Sequence, residues 1–164
     1  MRRIVICDTG PLLHLSEANA IHLLQLAGEV IIPPAVAKEF EQNAPDAKLP
    51  DWIQVKDLDE PYGKKALGWS KQIDAGEAAA IALTLQEQAE WLLSDDAKAR
   101  QFAQALGLEV HGSIGLLLWG AALGYIQSRD DALMFLDALA NSSLWISGRV
   151  LRQGRQAIDR LFSE

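Results

Sequence analysis

The chain has 164 residues, 49% hydrophobic and 23% charged, with a formal net charge of −7 and one cysteine. That length suits a single domain with one core, and no run approaches the roughly 18 uninterrupted apolar residues of a membrane span, so no membrane association is expected. The acidic balance counts against broad, sequence-independent adhesion to nucleic acid through phosphate contacts; it does not exclude an enzyme whose own site acids supply part of the charge.

Met1-Arg2-Arg3 leads straight into the apolar run Ile4-Val5-Ile6-Cys7 rather than into a secretory segment, so a cytoplasmic location is expected. The run is short and β-branched, as in a buried strand of a parallel sheet, and Cys7 within it reads as a small buried hydrophobe. Asp8 follows at once, with Thr9-Gly10-Pro11 after it. Ligands collect outside the carboxyl ends of such strands, which puts Asp8 where chemistry is usually done.

Leu12, Leu13, Leu15, Ile21, Leu23, Leu24 and Leu26 then recur at helical spacing, with a break between two short helices at Ser16 to Asn19 and an end at Gly28. Val30-Ile31-Ile32 is a second strand. Pro33-Pro34 starts a helix that carries Glu39 one turn in, because proline is well placed in a first helical turn. Gln42 to Asp51 reads as a polar loop, Trp52 to Val55 as a short edge strand, and Pro61 to Ser70 is ambiguous. Asp74-Ala75-Gly76-Glu77 has the form of a capping box at the head of an alanine-rich helix to Glu87. Trp91 to Ser94 is a strand ending in Asp95-Asp96; a helix to Leu106 closed by Gly107, a last strand at Leu108 to Val110 and an apolar helix at Ser113 to Leu123 follow. Alternation of this kind predicts a doubly wound α/β domain with a mostly parallel sheet. Arg129 to Ala140 and Ser147 to Phe162 read as two more helices, so one domain is expected over residues 1–164, with a core to about 125 and a helical appendage over about 126–164.

Each acid has a purely structural reading. Asp8, Asp95 and Asp96 could cap helices, Glu77 could answer an Asp74 cap, and Glu39 could lie on a solvated face. One helix needs only one such cap, however, so one of Asp95 and Asp96 is left over. Several carboxylates from different elements with no obvious cation among them suit Mg²⁺ or Mn²⁺, which prefer hard oxygen donors and retain waters. A site of that kind can hydrolyse phosphodiesters in line, without a covalent nucleophile.

The four segments Ile4-Val5-Ile6-Cys7-Asp8-Thr9, Ile32-Pro33-Pro34-Ala35-Val36-Ala37-Lys38-Glu39-Phe40, Asp74-Ala75-Gly76-Glu77-Ala78-Ala79-Ala80-Ile81-Ala82-Leu83 and Leu92-Leu93-Ser94-Asp95-Asp96-Ala97-Lys98-Ala99-Arg100 together resemble a PIN domain, and more narrowly the prokaryotic DUF3368 branch, over about residues 3 to 125. The resemblance implies a three-layer α/β/α fold and a Mg²⁺- or Mn²⁺-dependent ribonuclease, similar to the toxins of toxin-antitoxin pairs, often dimeric and often held inactive by a small partner protein. By motif position its catalytic, metal-holding acids fall on Asp8, Glu39, Glu77 and the pair Asp95-Asp96, with Asp96 favoured as the metal-facing member. Thr9 and Ser113 match its small-hydroxyl positions near the substrate.

Arg100 is the better candidate of Lys98 and Arg100 for steering phosphate. His14, His22 and His111 lack metal-ligand spacing and read as structural or exposed. Trp52, Trp69, Trp91, Trp119 and Trp145 lack basic interleaving, which favours core or interface packing over base stacking. The apolar stretch Ile114 to Gly124 reads as a buried helix, with a dimer contact as the alternative. Two other functional classes stay open: an inactive binding module acting through a partner, and a small-molecule phosphatase. The second is weakened because Gly10 stands where a second acid would follow Asp8.

Overall fold

A computed structural model describes residues 2–163. Strand β1 (Ile4–Cys7) leads into helices α1 (Thr9–Glu17) and α2 (His22–Ala27), then β2 (Glu29–Ile32), α3 (Pro34–Asn43) and β3 (Ile53–Val55). Helices α4 (Glu60–Trp69) and α5 (Ala75–Gln86) return the chain to β4 (Trp91–Leu93), followed by α6 (Ala97–Ala105), β5 (Val110–His111), α7 (Ser113–Ala122), α8 (Arg129–Ala140) and α9 (Gly148–Leu161). All the strands are parallel, in the order β3-β2-β1-β4-β5, so the sheet is wholly rather than mostly parallel.

The order has a mechanical cause. Parallel neighbours need right-handed crossovers, so connections made while the sheet grows toward β3 lie on one face and those made while it grows toward β5 lie on the other. Helices therefore cover both faces, giving three layers, and strands buried on both sides must be apolar throughout. Val5, Ile6, Cys7, Ile32 and Leu93 are completely inaccessible, each burial contributing roughly 1.5–3 kcal/mol for the larger side chains.

Most element boundaries lie within a residue or two of the sequence expectation. The ambiguous stretch from Pro61 to Ser70 is a helix, α4, with Pro61 in its first turn, where its missing N–H costs nothing. Helix α3 runs on to Asn43, into the segment read as a loop. Helix α7 buries Leu116, Leu117 and Gly120 but leaves Ala122 exposed and ends beside an exposed Leu123, so the stretch expected to be buried has one open side.

Four of the tryptophans pack as expected: Trp69 lies edge-on to Phe102, and Trp91, edge-on to Trp119, also carries the Arg3 guanidinium 3.8 Å above its ring, while Trp52 sits half-buried against the core. Trp145 does not pack into the core; it is 84% exposed on the loop between α8 and α9. Those two helices are tied to the rest, since Ala132, Leu136, Leu139 and Ile158 are inaccessible members of the same hydrophobic cluster as β1. Gly154 lets them approach closely: a Cβ there would stand 3.2 Å from a Leu136 methyl. Among the described residues no helix is long and apolar enough to cross a membrane.

Candidate active site

The sheet grows from β1 outward in one direction to β3, then restarts on the other side of β1 at β4. At such a switch point the two outgoing connections diverge and leave a crevice beyond the strand ends. Here the crevice is a cavity of about 730 Å³ whose lining includes Asp8, Thr9, Glu39, Glu77, Asp95 and Asp96. The candidates of the four sequence motifs thus converge on one place.

Every parallel strand hands its chain to a helix at this end, so helix N-termini, with their unpaired N–H groups and partial positive charge, point into the same region. The acids are fastened to them. Thr9 N–H donates to Asp8 Oδ1 (2.8 Å), Glu77 N–H to Asp74 Oδ1 (2.8 Å), Ala99 N–H to Asp96 Oδ2 (2.9 Å) and Ser113 N–H to Asp95 Oδ1 (2.7 Å). The capping box at the head of α5 is complete, because Asp74 N–H donates to Glu77 Oε1 at 3.1 Å. Capping and clustering are therefore not rival explanations; the helix ends are what allow so many carboxylates to stand together.

Asp8 is 5% exposed. Beyond the Thr9 amide it receives only a long bond from Ser94 Oγ (3.4 Å). Its carboxyl is pushed up to about 8, chiefly by burial, with the Glu77, Asp74 and Glu39 charges adding to the effect against the Thr9 bond. Glu77, half-buried, is pushed up to about 7, again first by burial, then by Asp74 and Asp96 against its bond from the Asp74 amide. Glu39 is half-buried on α3 rather than on a solvated face, and accepts a bond from Thr9 Oγ1 (2.8 Å).

Glu39 also explains Gly76. Its carboxylate lies directly over the first turn of α5, where a Cβ on residue 76 would overlap it. A glycine inside an alanine-rich helix head costs helix stability, and that cost was the available signal in the sequence.

Asp95 and Asp96 divide their duties. Asp95 gives both oxygens to the protein, accepting from Ser113 N and Oγ (2.6 Å) and lying 2.7 Å from His14 Nδ1. Asp96 is exposed and uses one oxygen on α6. His14, expected to be structural or exposed, is half-buried and lines the cavity through this contact. Its distance of 81 residues from Asp95 left no local signal. Ser113, expected near the substrate, is fully buried and off the cavity lining, where it bonds to Asp95. Arg100 lines the cavity, with a guanidinium nitrogen 2.8 Å from where a Cβ on Gly112 would be, whereas Lys98 is exposed outside the lining. Leu144 to Ser147 and Val150 complete the wall, a contribution from the C-terminal segment that the motifs did not anticipate.

As the side chains stand, no group of three His, Cys, Asp or Glu among the described residues surrounds a common point in the manner of a metal site. The donor chemistry nevertheless suits a hard divalent cation: Asp8, Glu39, Glu77 and Asp96 offer only oxygens, and the carboxyls of Asp8 and Glu77 are raised first by burial and then by the like charges around them, which a cation would offset. Glu77 uses only Oε1 on the Asp74 amide, which leaves Oε2 free for an ion.

A family model, DUF3368, described as a PIN domain, matches residues 4–160. The match continues through α8 and nearly all of α9, beyond the motifs themselves. A search of curated proteins returns no match.

Proposed function

This chain belongs to the DUF3368 family of PIN domains, and from that premise we propose that it is a divalent-metal-dependent endoribonuclease. PIN domains are in general nucleases that use divalent metals; the narrower reading concerns this chain's own residues. The observation that carries it is the convergence of Asp8, Glu39, Glu77 and Asp96 on one cavity at the switch point.

In this reading Asp8, Glu39, Glu77 and Asp96 hold Mg²⁺ or Mn²⁺, which when bound lowers the pKa of water and offsets charge on the scissile phosphate. Asp8 sits at the fixed end of β1 and keeps the centre of the site rigid. Thr9 orients Glu39 through its hydroxyl. Asp95, braced by Ser113 and His14, holds the head of α7 in place, and Arg100 attracts phosphate toward an otherwise negative cavity. A role as the toxin of a toxin-antitoxin pair, held by a small protein partner or working as a homodimer, rests on the family resemblance.

The test is a titration of the wild-type protein and Asp8→Asn with Mn²⁺ and Mg²⁺, following thermal stability and cleavage of a mixed RNA pool in the same samples. Metal-dependent cleavage lost in the variant supports the proposal; cleavage that survives both EDTA and the variant overturns it. The capping bonds made by Asp8, Glu77 and Asp96 favour a second reading, a PIN-fold binding module whose acids serve only the fold. A protein that gains no stability from either metal and cleaves no RNA would establish that one.

A further inference from the structure

The tryptophan that the core does not use stands at the mouth of the acid cavity. Trp145 is 84% exposed, the most exposed large hydrophobic side chain among the described residues, and it shares the cavity wall with Asp8, Glu77 and Asp96. An indole so placed leaves a large apolar face in water for no gain in folding.

Next to it begins α9, which carries four arginines against one aspartate in a chain of net charge −7. Arg155 is paired with Asp137, but Arg149 and Arg152 are exposed and form no ion pair among the described residues. A guanidinium nitrogen of Arg152 lies 3.3 Å from where a Cβ on Gly148 would be, so the side chain is drawn back over the first turn of α9, toward the Trp145 loop. An exposed ring and free cations beside a cavity of carboxylates make a complementary pair of surfaces. A nucleic-acid strand would be repelled by the acids alone, and needs a cationic edge to carry its phosphates and a flat apolar face to receive a base.

We infer that Trp145, Arg149 and Arg152 form a stacking platform that holds an unpaired nucleotide of a single RNA strand beside the acid cavity. The inference rests on the ribonuclease reading and adds to it a contact outside the acid site: the indole needs an unpaired base, because one paired within a duplex has no free face. Sequence preference is weak, because every base has a π-face.

The experiment compares wild type with Trp145→Ala, Trp145→Phe and the double variant Arg149→Gln/Arg152→Gln. Binding of a fluorescein-labelled short single strand and of a duplex of the same sequence is read in EDTA, and cleavage kinetics in Mn²⁺. Trp145→Ala should weaken single-strand binding and raise KM by about tenfold with kcat and duplex binding little changed, and phenylalanine should restore most of the loss. The arginine pair should lower the salt dependence of single-strand binding by roughly one unit of logarithmic slope. If wild type cleaves RNA while Trp145→Ala binds and cleaves like wild type, the platform alone is overturned. If wild type neither binds nor cleaves RNA, the ribonuclease reading falls with it. Failure of phenylalanine to rescue, or loss of self-association in Trp145→Ala with RNA binding unchanged, assigns the ring to protein contacts instead and also overturns the platform.

Discussion

The ends of β1 and β4 lie side by side, and the chain just beyond each delivers a shielded carboxylate to the same cavity, yet the two are treated in opposite ways. Asp95, beyond β4, is met by the Ser113 amide, the Ser113 hydroxyl and the His14 ring, so its charge is spent on joining α1, β4 and α7. Asp8, beyond β1, has one good donor, and its carboxyl is pushed up to about 8 first by burial and then by three negative neighbours. A buried carboxylate with its donors supplied is a strut. One left short of donors stores an unfavourable charge that a proton or a cation can relieve.

The largest break of this contrast comes from Asp95→Ala. It leaves a buried amide, a buried hydroxyl and an imidazole without their partner, and should cost about 3 kcal/mol or more of stability, read by chemical denaturation. Asp8→Asn should do the reverse. Asparagine can still accept the Thr9 bond, so the fold is kept while cleavage falls by more than about a hundredfold, beyond the usual cost of losing a group that only supports a metal ligand.

The same variant carries the pH signature. The folded-state value of Asp8 is raised, so its contribution to stability is fully present below the unfolded-state value of 3.8 and is lost as pH rises through about 8. Without metal, wild type should therefore lose on the order of a few kcal/mol across that window, by linkage. Asp8→Asn should make the profile shallower, leaving the part that Glu77 contributes up to about 7, and be the more stable of the two at pH 8.5. Denaturant melts at several pH values in EDTA check this, and a wild-type profile no steeper than the variant's would show that Asp8 carries no such strain.

A smaller effect comes from Gly76→Ala. The added methyl overlaps the Glu39 carboxylate and must push it from its place beside Thr9. Intrinsic helix preference would favour alanine by about 1 kcal/mol, so thermal stability should change little while metal-dependent cleavage drops by roughly tenfold, the order expected for a misplaced ligand. Ser94→Ala is the mildest probe. The bond it removes is long, at 3.4 Å, so the midpoint of the metal-free profile should move upward by less than roughly half a pH unit.

Much of this architecture was legible because its signals are local. Apolar runs at Ile4–Cys7 and Trp91–Leu93, the proline at the head of α3 and the Asp74–Glu77 box each follow from a few adjacent residues, and together they located the strands and set the acids at strand ends, at helix heads or, for Glu39, one turn into α3. The open choice between capping and site duty for Asp95 and Asp96 was not a local question. Whether an aspartate is a strut or a strained charge depends on donors such as Ser113 and His14, 18 and 81 residues away.

By itself, then, the sequence determined the order of strands and helices, the apolar character of a sheet covered on both faces, and which acids would stand at its carboxyl end. Side-chain period, caps and turn residues act over a few residues and need no distant partner. Only the tertiary structure decided that Asp8 lacks donors while Asp95 has them, that Glu39 requires a glycine at position 76, and that Trp145 faces the cavity rather than the core. Those outcomes depend on how separate elements pack, and burial and charge proximity exist only once distant segments have met.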